Sequence, residues 1–152
     1  GDIVAYGMMT GWMFGRFGCF VAHDHPGIET NFYLGVYGIC PDSYGSSTVA
    51  CHDLGLYEAL WSGAMAIWFS FKDKIPRHPG YYIGWVCLSY GPVRFVLDYF
   101  RHIETDTRYF GFTPAQYFSI IVTVMGIRIL LKRRNQEPVR GDWTPETATE
   151  VR

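Results

Sequence analysis

Charged side chains crowd into a few short stretches of this chain, and several windows of about 20 residues between them are almost free of charge. A bilayer imposes that pattern, because each crossing must close its backbone hydrogen bonds within a helix and cover them with apolar side chains. Composition alone would not reveal it. With 49% apolar, 18% aromatic and 18% charged residues, the averages would suit an ordinary soluble domain. The clustering therefore sets the expected fold class: all-α, a polytopic membrane bundle of about four transmembrane helices with an external loop domain.

Spans are expected over about 2–20, 54–71, 81–100 and 114–131. Together they make a transmembrane domain over 1–134, interrupted by an external loop over 21–53 and followed by a polar, Pro-containing tail over 135–152 that should be disordered. Gly7, Gly11 and Gly15 recur every fourth residue and form one smooth stripe, against which a neighbouring helix is expected. Trp and Tyr gather near the span ends, as interfaces favour. Thr113 followed by Pro114 reads as a helix start, and Pro92 should kink the third span close to Arg94.

Orientation follows from the basic residues. The segment 21–53 holds no Lys or Arg, whereas Lys72, Lys74 and Arg77 crowd one short connection and Lys132, Arg133 and Arg134 follow the last span. The positive-inside rule puts that connection and the C-terminal tail in the cytoplasm and 21–53 outside. A net charge of −1 without a basic stripe excludes nucleic acid as a partner. The chain opens on Gly1 without the basic start and cleavage site of a signal peptide, so a piece of a longer protein is expected.

Arg16 and Arg94 lie inside the charge-poor windows, where a guanidinium is expensive unless it lines a polar cavity or has a partner. Snorkelling to the interface is the alternative, and it suits Arg16 better than Arg94. Tyr90, Arg94, Asp98 and Arg101 share one helical face, so Asp98 can hold a guanidinium fork toward a phosphate. Glu58 enters the second span and should face the same interior. His23, Asp24 and His25 offer bases and a carboxylate at the interface; with His52 and Cys51 they could alternatively bind a metal, although the spacing is a weak zinc signature. Cys40 and Cys51 share the external loop, where a disulfide can close it. Cys87 reads as packing.

These residues resemble the prolipoprotein diacylglyceryl transferases of bacterial inner membranes. That family's signature, Gly-Arg-x-Gly-Asn/Cys-Phe with a later acidic residue and a closing glycine, is similar to Gly15, Arg16, Gly18, Cys19 and Phe20 with Asp24 and Gly27. A His-Pro-x-Gln-Leu-Tyr-Glu string resembles His52 to Glu58, with Asp53 and Gly55 substituted and Tyr57 retained. A Tyr-Gly-x-x-Arg motif with a following acid and arginine resembles Tyr90, Gly91, Arg94, Asp98 and Arg101, and 112–116 is close to the family's Leu-Thr-x-Gly-Gln. Cys19 stands where many members have Asn. Members carry further spans before the signature, so the chain is expected to correspond to a C-terminal portion.

The resemblance implies transfer of a diacylglyceryl group from phosphatidylglycerol to the lipobox cysteine of a prolipoprotein signal peptide, without a cofactor or metal. It implies a multi-pass protein of the bacterial inner membrane with a cytoplasmic C-terminus, in contact with membrane lipids. Arg16 and Arg94 would hold the lipid phosphate, Tyr90 would support them and Asp98 would orient Arg94. Cys19, Asp24, Gly27, His52, Tyr57, Glu58 and Arg101 would complete the substrate site. Two alternatives stand beside this: a non-catalytic truncated relative that binds anionic phospholipid or a partner membrane helix, and a metal-dependent membrane enzyme using His23, His25 and His52.

Overall fold

A computed structural model describes residues 1–74, 77–101 and 108–136. Four α-helices occupy the charge-poor windows: α1 (Asp2–Ala22), α2 (Leu54–Lys72), α3 (Tyr81–Leu97) and α4 (Pro114–Arg133). The expected disordered tail falls, from residue 137 onward, outside the described residues. Among the described helices, α4 alone is long and apolar enough to cross a bilayer on that criterion; the others dilute their apolar residues with Gly, Ser, Tyr and Trp.

The helices form two close pairs, α1 with α2 and α3 with α4, joined chiefly through α1 and α3. Asp2 ties the pairs at one end. Its carboxylate accepts from the backbone N–H groups of Gly80 (2.6 Å) and Ile83 (3.0 Å), which are orphan donors at the start of α3. Beside it, Ala5, Met9, Phe69, Tyr82 and Val86 are buried together and walled by Tyr6, Trp12, Trp61, Trp68 and Trp85. Aromatic rings fill this half of the bundle, and the buried Glu58 lies toward the other end, where α2 begins.

The expected glycine stripe does not find its helix among the described residues. A Cβ at Gly7, Gly11 or Gly15 would have nothing within 4 Å, because α1 turns Ala5 and Met9 inward instead. Close backbone approach occurs elsewhere. A Cβ on Gly91 would fall 2.6 Å from the Ser119 carbonyl oxygen, and one on Gly126 would fall 2.5 Å from the Leu88 nitrogen, so α3 and α4 cross on these glycines. α3 remains one continuous helix through Pro92.

The 21–53 segment, expected as a loop domain of an all-α protein, departs from that class. It contains a three-stranded antiparallel sheet of β1 (Pro26–Glu29), β2 (Val36–Tyr37) and β3 (Ala50–Asp53), with β3 in the centre. A disulfide between Cys40 and Cys51, with Cα atoms 5.4 Å apart, staples the connection beneath it. β3 runs directly into α2, and Asp53 caps the junction by accepting from Leu56 N–H at 3.1 Å. The sheet therefore sits over the end of the bundle at which α1 finishes and α2 begins.

Candidate functional site

Two cationic side chains from different helices converge on one carboxylate at that end. Glu58, one turn into α2 and 1% exposed, faces Arg16 from the last turns of α1 and Arg94 from the last turn of α3. Arg94 Nη1 donates to Glu58 Oε1 at 3.0 Å. Arg16 Nε lies 2.7 Å from Oε2 as an ionic contact without the alignment of a hydrogen bond. The guanidinium side chains remain 23% and 20% exposed, so they can still be reached from outside the bundle. Two positive charges against one negative leave about one unit of positive charge, and each guanidinium carries five donors, most still available.

Aromatic side chains wall this cluster. Tyr90 stands between Trp12 and Trp61, both with ring centroids 5.2 Å away, and its phenol feels Glu58, Arg94 and Arg16 together. The Arg16 guanidinium lies 5.9 Å from the Trp12 ring centroid, at the edge of cation–π range. The Trp12 Nε1–H is buried with no acceptor among the described residues, which leaves a donor available to a ligand oxygen. Trp12 was missed by sequence reasoning, although its place one turn before Arg16 could have signalled it.

Asp98 does not hold Arg94, as its helical spacing suggested. It is 2% exposed and accepts from the Thr113 hydroxyl, while Arg94 is engaged by Glu58. Thr113 is the N-cap of α4 and makes a reciprocal capping box with Gln116. Asp98 thus fastens the end of α3 to the beginning of α4, and its second oxygen, Oδ1, is buried with no hydrogen-bond partner among the described residues. Arg101 follows it and forms an isolated backbone bridge with Gly27.

Gly27 has a steric reason to be glycine: a Cβ there would lie 2.4 Å from the Phe100 carbonyl oxygen. That bridge brings β1 against the end of α3. Gly55 is similarly confined, with the Phe20 nitrogen 2.9 Å from where its Cβ would stand. His52 and Tyr57 belong to the same layer, joined by a 2.6 Å contact between His52 Nδ1 and the Tyr57 hydroxyl, with the Phe100 ring 4.6 Å from the imidazole. Burial holds the His52 imidazole below its usual value.

Among the described residues, His23, His25 and His52 do not come together as the alternative metal site. His23 Nδ1 is 3.1 Å from Asp53 Oδ2, His52 is bound to Tyr57, and Cys51 is consumed by the disulfide. Cys19, Asp24 and His25 do place ligand atoms within 4.8 Å of one another. The Asp24–His25 hydrogen bond joins two of the three, and it is the largest cause holding the Asp24 carboxyl below its ordinary range. His23 closes α1 with a left-handed φ of 52°, which turns the chain back so that Asp24 N–H reaches the Cys19 carbonyl at 3.4 Å.

The family model for prolipoprotein diacylglyceryl transferase matches residues 1–132. The chain belongs to that family. Among curated relatives named phosphatidylglycerol–prolipoprotein diacylglyceryl transferase, the protein of Wolbachia sp. subsp. Brugia malayi is 30% identical over 90% of this chain and 52% of the relative. That of Chlorobaculum tepidum is 30% identical over 86% of the chain and 45% of the relative. That of Idiomarina loihiensis is 28% identical over 91% and 51%. The chain thus spans about half the length of the relatives it matches. All three regions read as transferase motifs meet at one end of this fold. The signature around Arg16, the string ending in Glu58 and the face bearing Tyr90 and Arg94 share the ion-paired cluster.

Proposed function

We propose that this chain supplies the phosphate-gripping part of a diacylglyceryl transferase in the bacterial inner membrane. The substrates are phosphatidylglycerol and the lipobox cysteine of a prolipoprotein signal peptide. In the reaction the cysteine sulfur attacks the glycerol carbon that carries the phosphate ester. The C–O bond breaks, a thioether forms, glycerol phosphate leaves and the thiol proton is released. All four helices cross the bilayer as a polytopic bundle, with the sheet outside and the C-terminus in the cytoplasm.

One observation carries this reading: Glu58 holds two partly exposed guanidiniums side by side with net positive charge. Arg16 and Arg94 receive the phosphate and stabilise the negative charge that grows on the leaving group. Glu58 aligns them, and Tyr90 and the Trp12 N–H add hydrogen-bond donors near the lipid oxygens. Cys19, Asp24, Gly27, His52, Tyr57 and Arg101 shape the outer rim, and Asp98 holds the rim to α4.

The test follows thioether formation on a lipobox peptide in vesicles of phosphatidylglycerol, using the intact gene product. Arg16→Ala and Arg94→Ala should each lower transfer by about 100-fold or more, as loss of an oxyanion-stabilising donor does. Unchanged transfer in Arg94→Ala refutes the mechanism. Lipid binding that falls in Arg16→Ala, with no thioether under any condition, would instead identify a non-catalytic phospholipid binder.

A further inference from the structure

The turn just before α4 adopts an uncommon conformation and presents a large apolar ring outward. Tyr109 and Phe112 exchange two backbone hydrogen bonds, 2.8 and 3.1 Å, around Phe110 and Gly111. Both central residues have positive φ, 51° and 89°, the pattern of a type I′ hairpin. Such turns favour Asn-Gly, and a bulky aromatic residue in the left-handed region is an outlier. The turn is also firmly held. The Tyr117 hydroxyl donates to the Tyr109 carbonyl at 2.9 Å, and the Phe112 ring stands 5.8 Å from both Phe95 and Tyr117.

At the tip Phe110 is 100% exposed, and Tyr99, Tyr109 and Phe118 are exposed around the same end. Arg108 stands exposed just before the turn. The place of this patch along the membrane normal follows from α4, the helix with the length and apolarity to span. Its far end carries Lys132 and Arg133, so its first turn, and the hairpin joined to it, lie at the opposite interface. Aromatic rings beside a snorkelling cation are the usual composition of a segment seated at that depth.

We infer that the Tyr109–Phe112 hairpin is an interfacial anchor that seats Phe110 in the headgroup–acyl boundary of the outer leaflet. Its partner is the lipid surface: Arg108 meets phosphate groups while the rings enter the acyl edge. A rigid, pinned turn holds the ring at one depth, and thereby sets the height of the Thr113 cap and of Asp98 behind it. The inference rests on the membrane placement of α4 proposed above.

The experiment measures nitroxide depth in the protein reconstituted into phosphatidylglycerol-containing bilayers. Single labels are placed at Phe110→Cys, at Ile121→Cys on the exposed face of α4 and at Tyr44→Cys in the external segment, in a background lacking Cys19 and Cys87. Collisions with oxygen and with a water-soluble nickel chelate report depth. The Phe110 label should lie just below the phosphates, with nickel accessibility several-fold below that at Tyr44, and the Ile121 label should lie deeper. Nickel accessibility at Phe110 equal to that at Tyr44, with Ile121 deep, overturns the anchor and leaves the membrane reading standing. Protection of Phe110 from both reagents overturns it in favour of a protein contact. Free nickel access at Ile121 overturns the membrane placement itself.

Discussion

Glu58→Gln keeps the shape of the side chain and removes the charge that reconciles Arg16 with Arg94. Each guanidinium loses an attraction of about 4 kcal/mol, taking opposite charges about 4 Å apart in an effective dielectric of about 20. The two cations then face each other across a neutral amide. Removing one member of a buried ion pair typically costs about 3–5 kcal/mol. Because the guanidiniums are 23% and 20% exposed and solvent offsets part of the loss, a cost of about 3 kcal/mol is expected. That is roughly a 100-fold shift toward the unfolded state. Chemical unfolding in detergent micelles reads this directly, and the second substitution Arg94→Met reads its origin. In the wild type, Arg94→Met breaks an attraction and should destabilise. In the Glu58→Gln background it relieves a repulsion and should be neutral or stabilising. Equal effects of Arg94→Met in both backgrounds, within about 0.5 kcal/mol, would mean the residues are independent and would refute the cluster as the source of the site's charge.

Gly27→Ala must push its methyl into the Phe100 carbonyl, 2.4 Å away, so β1 has to part from the end of α3; a loss of about 2–3 kcal/mol is expected in thermal unfolding, and no loss would mean the bridge is absent. Trp12→Phe keeps an aromatic side chain but removes the buried indole N–H, and it should lower transfer or phosphatidylglycerol affinity about tenfold while the protein remains folded. His52 contributes a pH dependence of definite sign. Its folded imidazole lies below the ordinary 6.5, so from about that pH downward the unfolded chain binds a proton that the folded site resists. Stability should therefore fall as the pH is lowered from neutral through about 6.5, and His52→Gln should flatten that slope. Reducing the Cys40–Cys51 disulfide should cost about 2–3 kcal/mol by freeing its short loop, read as a lower unfolding midpoint under reductant.

What the sequence could show follows from which forces act locally. The four helices were legible because apolar windows bounded by charge persist for five turns, and the Thr113–Pro114 start of α4 was legible because a cap is made by neighbours in the chain. The sheet was not. Its strands are two to four residues long, too short for alternation to show, and their pairing depends on bringing Pro26 beside Asp53 across the whole 21–53 segment. The glycine stripe illustrates a different limit: fourfold spacing establishes that Gly7, Gly11 and Gly15 share a face, and says nothing about which face another helix covers.

The pairing of Arg94 was misjudged for a related reason. Helical spacing ranks partners on one helix, and Asp98, one turn on, was the natural choice; the structure satisfies Arg94 from α2 and gives Asp98 to the cap of α4. The difference changes the chemistry. A carboxylate on the same helix would follow Arg94 wherever α3 moved, whereas Glu58 couples α1, α2 and α3 at a single point and makes the spacing of Arg16 and Arg94 depend on all three. A phosphate recognised by both guanidiniums then reads that spacing. Displacing α1 relative to α3 should weaken phospholipid binding even when each arginine is intact, read as a lower affinity for phosphatidylglycerol vesicles.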